Sequence, residues 1–177
     1  MKMMMQSFLL LMATVLLLPV AEAAVEATCK AIAAGDPNVR YDFCVRSLRR
    51  DPASGSADTK GLALIAVELS SQSTARFART VESALEKAKG AGEKESLRTC
   101  SSLYRESRSR LADSASAVEV GRLGDAKTYL STSVDAPDGC GQAFDEMGVP
   151  VPAPLEEEND EERQLCIIAL AITNLLG

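Results

Sequence analysis

Cysteine is the residue type through which this sequence can most readily do chemistry, and the spacing of its five cysteines is informative. Gly121-Arg122-Leu123-Gly124, the clearest break between two helical patterns, begins just past the midpoint between Cys100 and Cys140. Gly35-Asp36-Pro37-Asn38, a strong turn signature, lies midway between Cys29 and Cys44. A turn at either midpoint folds its flanks into a hairpin and sets its two cysteines opposite one another. Four cysteines allow three pairings, and turn symmetry selects Cys29–Cys44 and Cys100–Cys140. On the chain-entropy view the short loop contributes about 3 kcal/mol and the long one about 4 kcal/mol. Cys166, in Gln164-Leu165-Cys166-Ile167-Ile168, is left over. Its apolar helical setting makes it a buried, inert thiol.

Other candidate chemistry fails for specific reasons. The chain has no His, which excludes Ser-His-Asp and Cys-His catalysis and His-based zinc sites. Ser54-Gly55-Ser56 has no base beside it. Gly121-Arg122-Leu123-Gly124 lacks the preceding strand and the Lys-Ser/Thr pair of a phosphate loop. The run Glu156-Glu157-Glu158-Asn159-Asp160-Glu161-Glu162 reads as an exposed acidic start of a helix, where carboxylates complement the dipole. Arg105, Arg108 and Arg110, with Lys94 and Arg98, form a basic face on one helix, and Arg46, Arg49 and Arg50 form a second cluster. Both read as solvated faces open to an acidic partner. With a net charge of -6 and a pI near 4.8, nucleic acid is not an expected partner. No cofactor, no metal and no catalysis are expected.

The elements that carry the cysteines follow from periodicity. Residues 1–23 read as a signal peptide: Lys2, an apolar run from Phe8 to Val20, and the small-x-small site Ala21-Glu22-Ala23. Secretion supplies the oxidising compartment that disulfides need, and no membrane segment remains after cleavage. Residues 24–177 then form one domain. Its first part, 24–56, is a stapled hairpin of two helices, 26–34 and 41–48, each too short to be stable alone. The rest, 57–177, holds four long amphipathic patterns: 57–89, 93–119, 122–147 and a last helix with Leu165, Ile168, Ala169, Ile172, Leu175 and Leu176 on its core face. Gly90-Ala91-Gly92 reads as a glycine cap closing the first of them. Ala136-Pro137-Asp138-Gly139-Cys140-Gly141 predicts a kink or short break just before Cys140. Short connections between consecutive helices give an all-α, up-down-up-down four-helix bundle with the hairpin lying against one end or side.

A set of residues also resembles a known family along essentially the whole mature length. These are Thr28-Cys29-Lys30, Pro37-Asn38-Val39, Tyr41-Asp42-Phe43-Cys44-Val45, Leu48 with Asp51-Pro52, and Ala57-Asp58 with Gly61-Leu62. Cys100 before Leu103-Tyr104, Cys140 before Phe144, and Leu170-Ala171-Ile172-Thr173-Asn174-Leu175-Leu176 complete the set. The chain resembles the plant invertase and pectin methylesterase inhibitors, and within them the invertase-inhibitor branch with pollen-allergen relatives. The resemblance implies an extracellular, apoplastic protein of the cell wall that blocks a carbohydrate-active enzyme by stoichiometric binding. The target would be a cell-wall or vacuolar acid invertase, or pectin methylesterase. It further implies that an invertase would be met by the turn before the third bundle helix, and pectin methylesterase by bundle helices. At that turn, where characterised invertase inhibitors carry Pro-Lys-Phe, this chain has Arg122-Leu123-Gly124-Asp125-Ala126-Lys127. Arg122, Leu123, Asp125 and Lys127 are therefore the groups available for a partner, and a monomer is expected. The alternative is a secreted structural or allergen-like bundle that keeps the scaffold without inhibiting.

Overall fold

A computed structural model describes residues 24–177; the expected signal peptide lies outside them. The described chain is all helical. Helix α1 covers 24–35, and Val25, Cys29 and Ile32 recur on its buried side at threes and fours. The turn after it is held by Asp36, whose carboxylate accepts from the Asn38 backbone N–H at 2.8 Å and from its side-chain amide at 2.9 Å. Helix α2, Tyr41–Leu48, returns alongside with Cys44, Val45 and Leu48 buried. Cys29 is joined to Cys44, with their Cα atoms 5.8 Å apart. A short 3-10 turn, Pro52–Ser56, leads into the bundle, its first residues ordered by Asp51 accepting from the Ala53 N–H.

Four helices follow: α3 Thr59–Lys87, α4 Ala91–Glu119, α5 Leu123–Glu146 and α6 Ala153–Asn174. Each packs on its neighbours in chain order, and α6 closes the square against α3. Asp58 caps α3, its carboxylate accepting from the Gly61 N–H at 2.7 Å. The expected glycine cap at the other end is not what stops α3. The helix ends at Lys87 because Ala88 turns extended to place its side chain in the core. Gly90 is instead the N-terminal boundary residue of α4, and Ala91 and Gly92 are already helical.

The hairpin is more than an appendage. Val25, Cys29, Ile32, Val39, Val45 and Leu48 join Leu62, Ala66, Leu69, Leu165, Ile168 and Ile172 in one continuous core. Gln164 on α6 binds the incoming chain from both sides, accepting from the Arg40 N–H and donating to the Asn38 carbonyl. Arg40 pairs with Asp160 at 2.7 Å and Arg50 with Glu161 at 3.0 Å. Two short helices that could not persist alone are thereby held by burial against α3 and α6.

Helix α5 runs unbroken through Pro137, against the expectation of a break. Tertiary contacts override the local cost. Pro137 is buried in the helix, and the Asn159 side chain of α6 donates to its carbonyl at 2.9 Å. Three residues on, Cys140 is joined to Cys100 with Cα atoms only 4.6 Å apart. Helices this close favour a small residue at the crossing. Gly139 is that residue, since a Cβ there would lie 3.0 Å from Leu103 Cδ1.

The acidic run is also not uniformly exposed. Glu156 and Glu157 are, but Glu158 accepts from Thr80, Glu161 pairs with Arg50 and Arg76, and Glu162 is fully buried. Glu162 belongs to a polar layer made by Ser70, Ser73 and Thr74 of α3, Ser107 of α4 and Ser133 of α5, all buried. Each lies near the middle of its helix. Two of the serines are satisfied cheaply: Ser70 donates to the Ala66 carbonyl and Ser133 to that of Tyr129, one turn back, while the Ser107 hydroxyl has no partner among the described residues. Glu162 needs other helices. One carboxyl oxygen accepts from the Thr74 hydroxyl and, at 3.3 Å, from the Cys166 thiol, while the other has no partner among the described residues.

Burial pushes the Glu162 carboxyl up to about 7, with the Thr74, Cys166 and Ser73 hydrogen bonds and the Arg76 charge opposing. The Cys166 thiol is raised by burial and then by Glu162, so this free cysteine stays a thiol. The Tyr104 hydroxyl, raised first by burial and then by Glu162, donates to Asn159 at 2.6 Å.

Two predictions follow from this core. The Glu162 carboxyl is protonated in the folded protein up to about pH 7 but ionises near 4.5 once unfolded. Its stabilisation is thus complete below 4.5 and is lost as pH rises to about 7. The loss amounts to on the order of 3 kcal/mol. Denaturant unfolding across that range should show this slope in the native protein and lose it in Glu162→Gln. Replacing Cys100 and Cys140 together by Ala should lower the unfolding free energy by about 4 kcal/mol, with helical circular dichroism kept at low temperature.

Candidate partner-binding surface

The alternating directions of the helices bring four helix ends together at one pole of the bundle: the start of α3, the end of α4 and the start of α5 at their turn, and the end of α6. The α4–α5 turn is a tight left-handed cap. Gly121 sits at φ +76°, the Arg122 N–H reaches the Ala117 carbonyl at 2.8 Å, and the Gly121 N–H reaches that of Val118 at 3.2 Å. A side chain at Gly121 would strain this backbone, which is why a glycine ends α4 here. The turn is then tied to its neighbours. Lys60 of α3 donates to the Glu119 carbonyl at 2.8 Å, and Lys127 of α5 donates to the Gly177 carbonyl.

These ties change what the residues read from the sequence can offer. Arg122 and Asp125 pair with each other at 3.1 Å across one helical turn, both more than half or nearly half exposed, so they present a local dipole rather than a free cation. Asp125 also suits the positive end of α5. Lys127 is engaged with the end of the chain. Leu123 is half-buried beside Gly177. Residues 120 and 175 supply what the turn residues do not: Val120 is 68% exposed and Leu175 48% exposed. The pole therefore presents an apolar spot on a rigid turn, rimmed by Lys60, Arg122 and Lys127. Val120 lies one step beyond the buried stripe that ends at Val118, and an apolar residue stepping off its stripe at a turn is the signal that marks it in the sequence.

The basic faces are partly neutralised where they stand: Lys94, Arg105, Arg108 and Arg46 make no ion pair among the described residues, but their neighbours do. Arg98 pairs with Glu95, and Arg110 with Glu106 and Asp113, while the Arg110 guanidinium lies over the Tyr129 ring. Arg49 pairs with Glu26 and Arg50 with Glu161. Ion pairs this exposed contribute little to stability and remain available to rearrange on a partner. Among the described residues no cluster of His, Cys, Asp or Glu is arranged to hold a metal ion, and no helix is long and apolar enough to cross a membrane.

Comparison with known proteins places this arrangement. The family model for plant invertase/pectin methylesterase inhibitors matches residues 23–172. A relative from Platanus orientalis named "Putative invertase inhibitor" is 34% identical over 153 residues, covering 86% of this chain and 89% of the relative. Pectinesterase inhibitor 8 of Oryza sativa subsp. japonica is 32% identical over 151 residues, covering 85% and 82% respectively. Among solved structures, a mutant form of a pectin methylesterase inhibitor from Arabidopsis superposes with a TM-score of 0.69 over 77% of this chain and 90% of that one. The sequence identity there is 20%, so this likeness concerns the fold. These relatives and structural neighbours are inhibitors of enzymes and not enzymes themselves. The chain belongs to the plant invertase/pectin methylesterase inhibitor family.

Proposed function

We propose that this chain is a secreted inhibitor of a plant cell-wall enzyme, acid invertase or pectin methylesterase, and that it acts as a monomer by forming a stoichiometric complex over the active site. The pole of the bundle supports an invertase contact. It combines a backbone locked at Gly121, an exposed Val120, and a polar rim in which Lys60, Arg122 and Lys127 are held in place by their own partners. Its rigidity matters, because a turn already held in its bound shape loses little entropy on docking. Arg122, Leu123, Asp125 and Lys127 contribute to this surface as a tied group: Arg122 and Asp125 as a pair, and Lys127 as a brace on the turn. A pectin methylesterase contact would instead use the long faces of α4 and α5, where the exposed charges lie. The mature protein begins near Ala24, and its site of action is the apoplast.

A second reading has its own observation. The turn carries Arg122-Leu123-Gly124 in place of Pro-Lys-Phe, which is compatible with a secreted bundle that keeps the scaffold and inhibits nothing.

Titration of each enzyme with disulfide-intact protein in mildly acidic buffer separates these readings. Inhibition that saturates at one inhibitor per enzyme is expected for one of the two. No inhibition of either by folded protein selects the second reading. If the target is invertase, Val120→Asp with Arg122→Ala should weaken inhibition at least about tenfold, with unchanged helicity. Undiminished invertase inhibition by that variant rejects the pole as the contact.

A further inference from the structure

At the pole opposite the α4–α5 turn, a cleft of about 530 Å³ opens between α3 and the proline-rich connection that leads into α6. Its size lies in the range of small-molecule sites. One wall comes from two adjacent ridges of α3, each with the four-residue spacing that lines up side chains along a helix. The outer ridge is Arg79, Ser83, Lys87, which reads cation, hydroxyl, cation. The inner ridge runs from Arg76 through Thr80 to Ala84. The opposite wall is apolar and stiff: Pro152, Pro154 and the buried Leu155.

The two outer charges of this cleft are not used by the fold. Arg76 is held by Glu161 at 2.9 Å, and Thr80 is bonded to Glu158. Arg79 and Lys87, in contrast, make no ion pair among the described residues, and Ser83 makes no side-chain hydrogen bond among them. Glu93 is the single carboxylate lining the cleft. The result is a local cationic surplus on a chain whose net charge is -6, placed around an apolar floor. Two unpaired cations at the rim, a free hydroxyl between them and a floor of proline and alanine suit one kind of ligand. That ligand has an acidic head and an apolar body. A polyanion fits less well, because the apolar floor would oppose its charges.

We propose that this cleft binds a small amphiphilic organic anion, with its carboxylate or similar head against Arg79, Ser83 and Lys87 and its hydrocarbon body on Ala84, Pro152 and Pro154. The site lies at the far end of the bundle from the α4–α5 turn, and it requires nothing of the target enzyme.

The test is a titration of isotope-labelled protein with decanoate, and separately with decanol as its uncharged counterpart, followed by amide chemical shifts. Decanoate should produce saturable shifts confined to residues 76–87, to Glu93 and to Ala153 and Leu155 beside the two prolines, and decanol should bind at least about tenfold more weakly. Arg79→Ala with Lys87→Ala should weaken decanoate at least about tenfold without moving the unfolding midpoint. Ser83→Trp, which fills the mouth while leaving the buried core untouched, should abolish the shifts. Equal binding of decanol, decanoate shifts spread over the bundle, an absence of shifts, or full affinity in either variant would overturn the proposal. The same result obtained only with an acidic peptide, and not with decanoate, would also overturn it in favour of a protein partner.

Discussion

The carboxyl of Glu162 has no access to water, and the organisation of the bundle follows from accommodating it. A buried carboxyl is costly unless it is neutral or paired with a cation, and hydrogen-bonded in either case. Neutrality comes from the burial itself, which raises its proton affinity, and the hydrogen bonds come from Thr74 across the helix interface and Cys166 one turn on. Thr74 can reach it only when α3 and α6 are in one register. Sliding either helix by a turn would face the carboxyl with Ser70 or with the apolar Phe77. At the same level the Ser133 hydroxyl of α5 faces the Ser107 carbonyl of α4 across the interface, which favours one height of α5 against α4. A uniformly apolar interior would leave such slips nearly equal in energy.

This polar layer splits the interior in two. On one side the hairpin, α3 and α6 share the core that supports the α4–α5 turn. On the other side Phe77 stacks on Tyr104 with ring centroids 3.9 Å apart, next to the Cys100–Cys140 bond and the proline-rich connection. The network from Tyr104 to Asn159 to the Pro137 carbonyl joins α4, α6 and α5 on that side. The two poles thus have different covalent supports, one for each disulfide. The pole with the exposed Val120 and the pole with the cationic cleft are consequently braced independently, so a ligand at one need not disturb the other.

How much of this was legible in the sequence depended on whether the responsible interaction was local. The positions of α2, α4 and α5 follow closely from periodicity, because amphipathic spacing within one helix is a local property. The break expected at Pro137 does not occur: the proline is buried among the packed helices, and Asn159 of α6, twenty-two residues away, donates to its carbonyl. The exposed reading of the acidic run was right for Glu156 and Glu157 and wrong for Glu162. Extending the core stripe of Leu165 and Ala169 back by one turn would have flagged Glu162, but a carboxylate is ordinarily an argument against a core position. At the α4–α5 turn the residue types were readable, while the pairing of Arg122 with Asp125 and the engagement of Lys127 by Gly177 were not.

By itself the sequence determined the helical class, the two places where the chain must turn, and the absence of the groups that histidine-dependent catalysis requires. Those are matters of residue type and short-range spacing. The tertiary structure alone decided that a carboxyl would be buried and neutral, that α5 would tolerate its proline, and that Val120 would stand out at the turn. It also brought residues 76–87 together with residues 152–155 around a cleft. Each of these depends on contacts between segments far apart in the chain, and their energies exist only once the helices have packed.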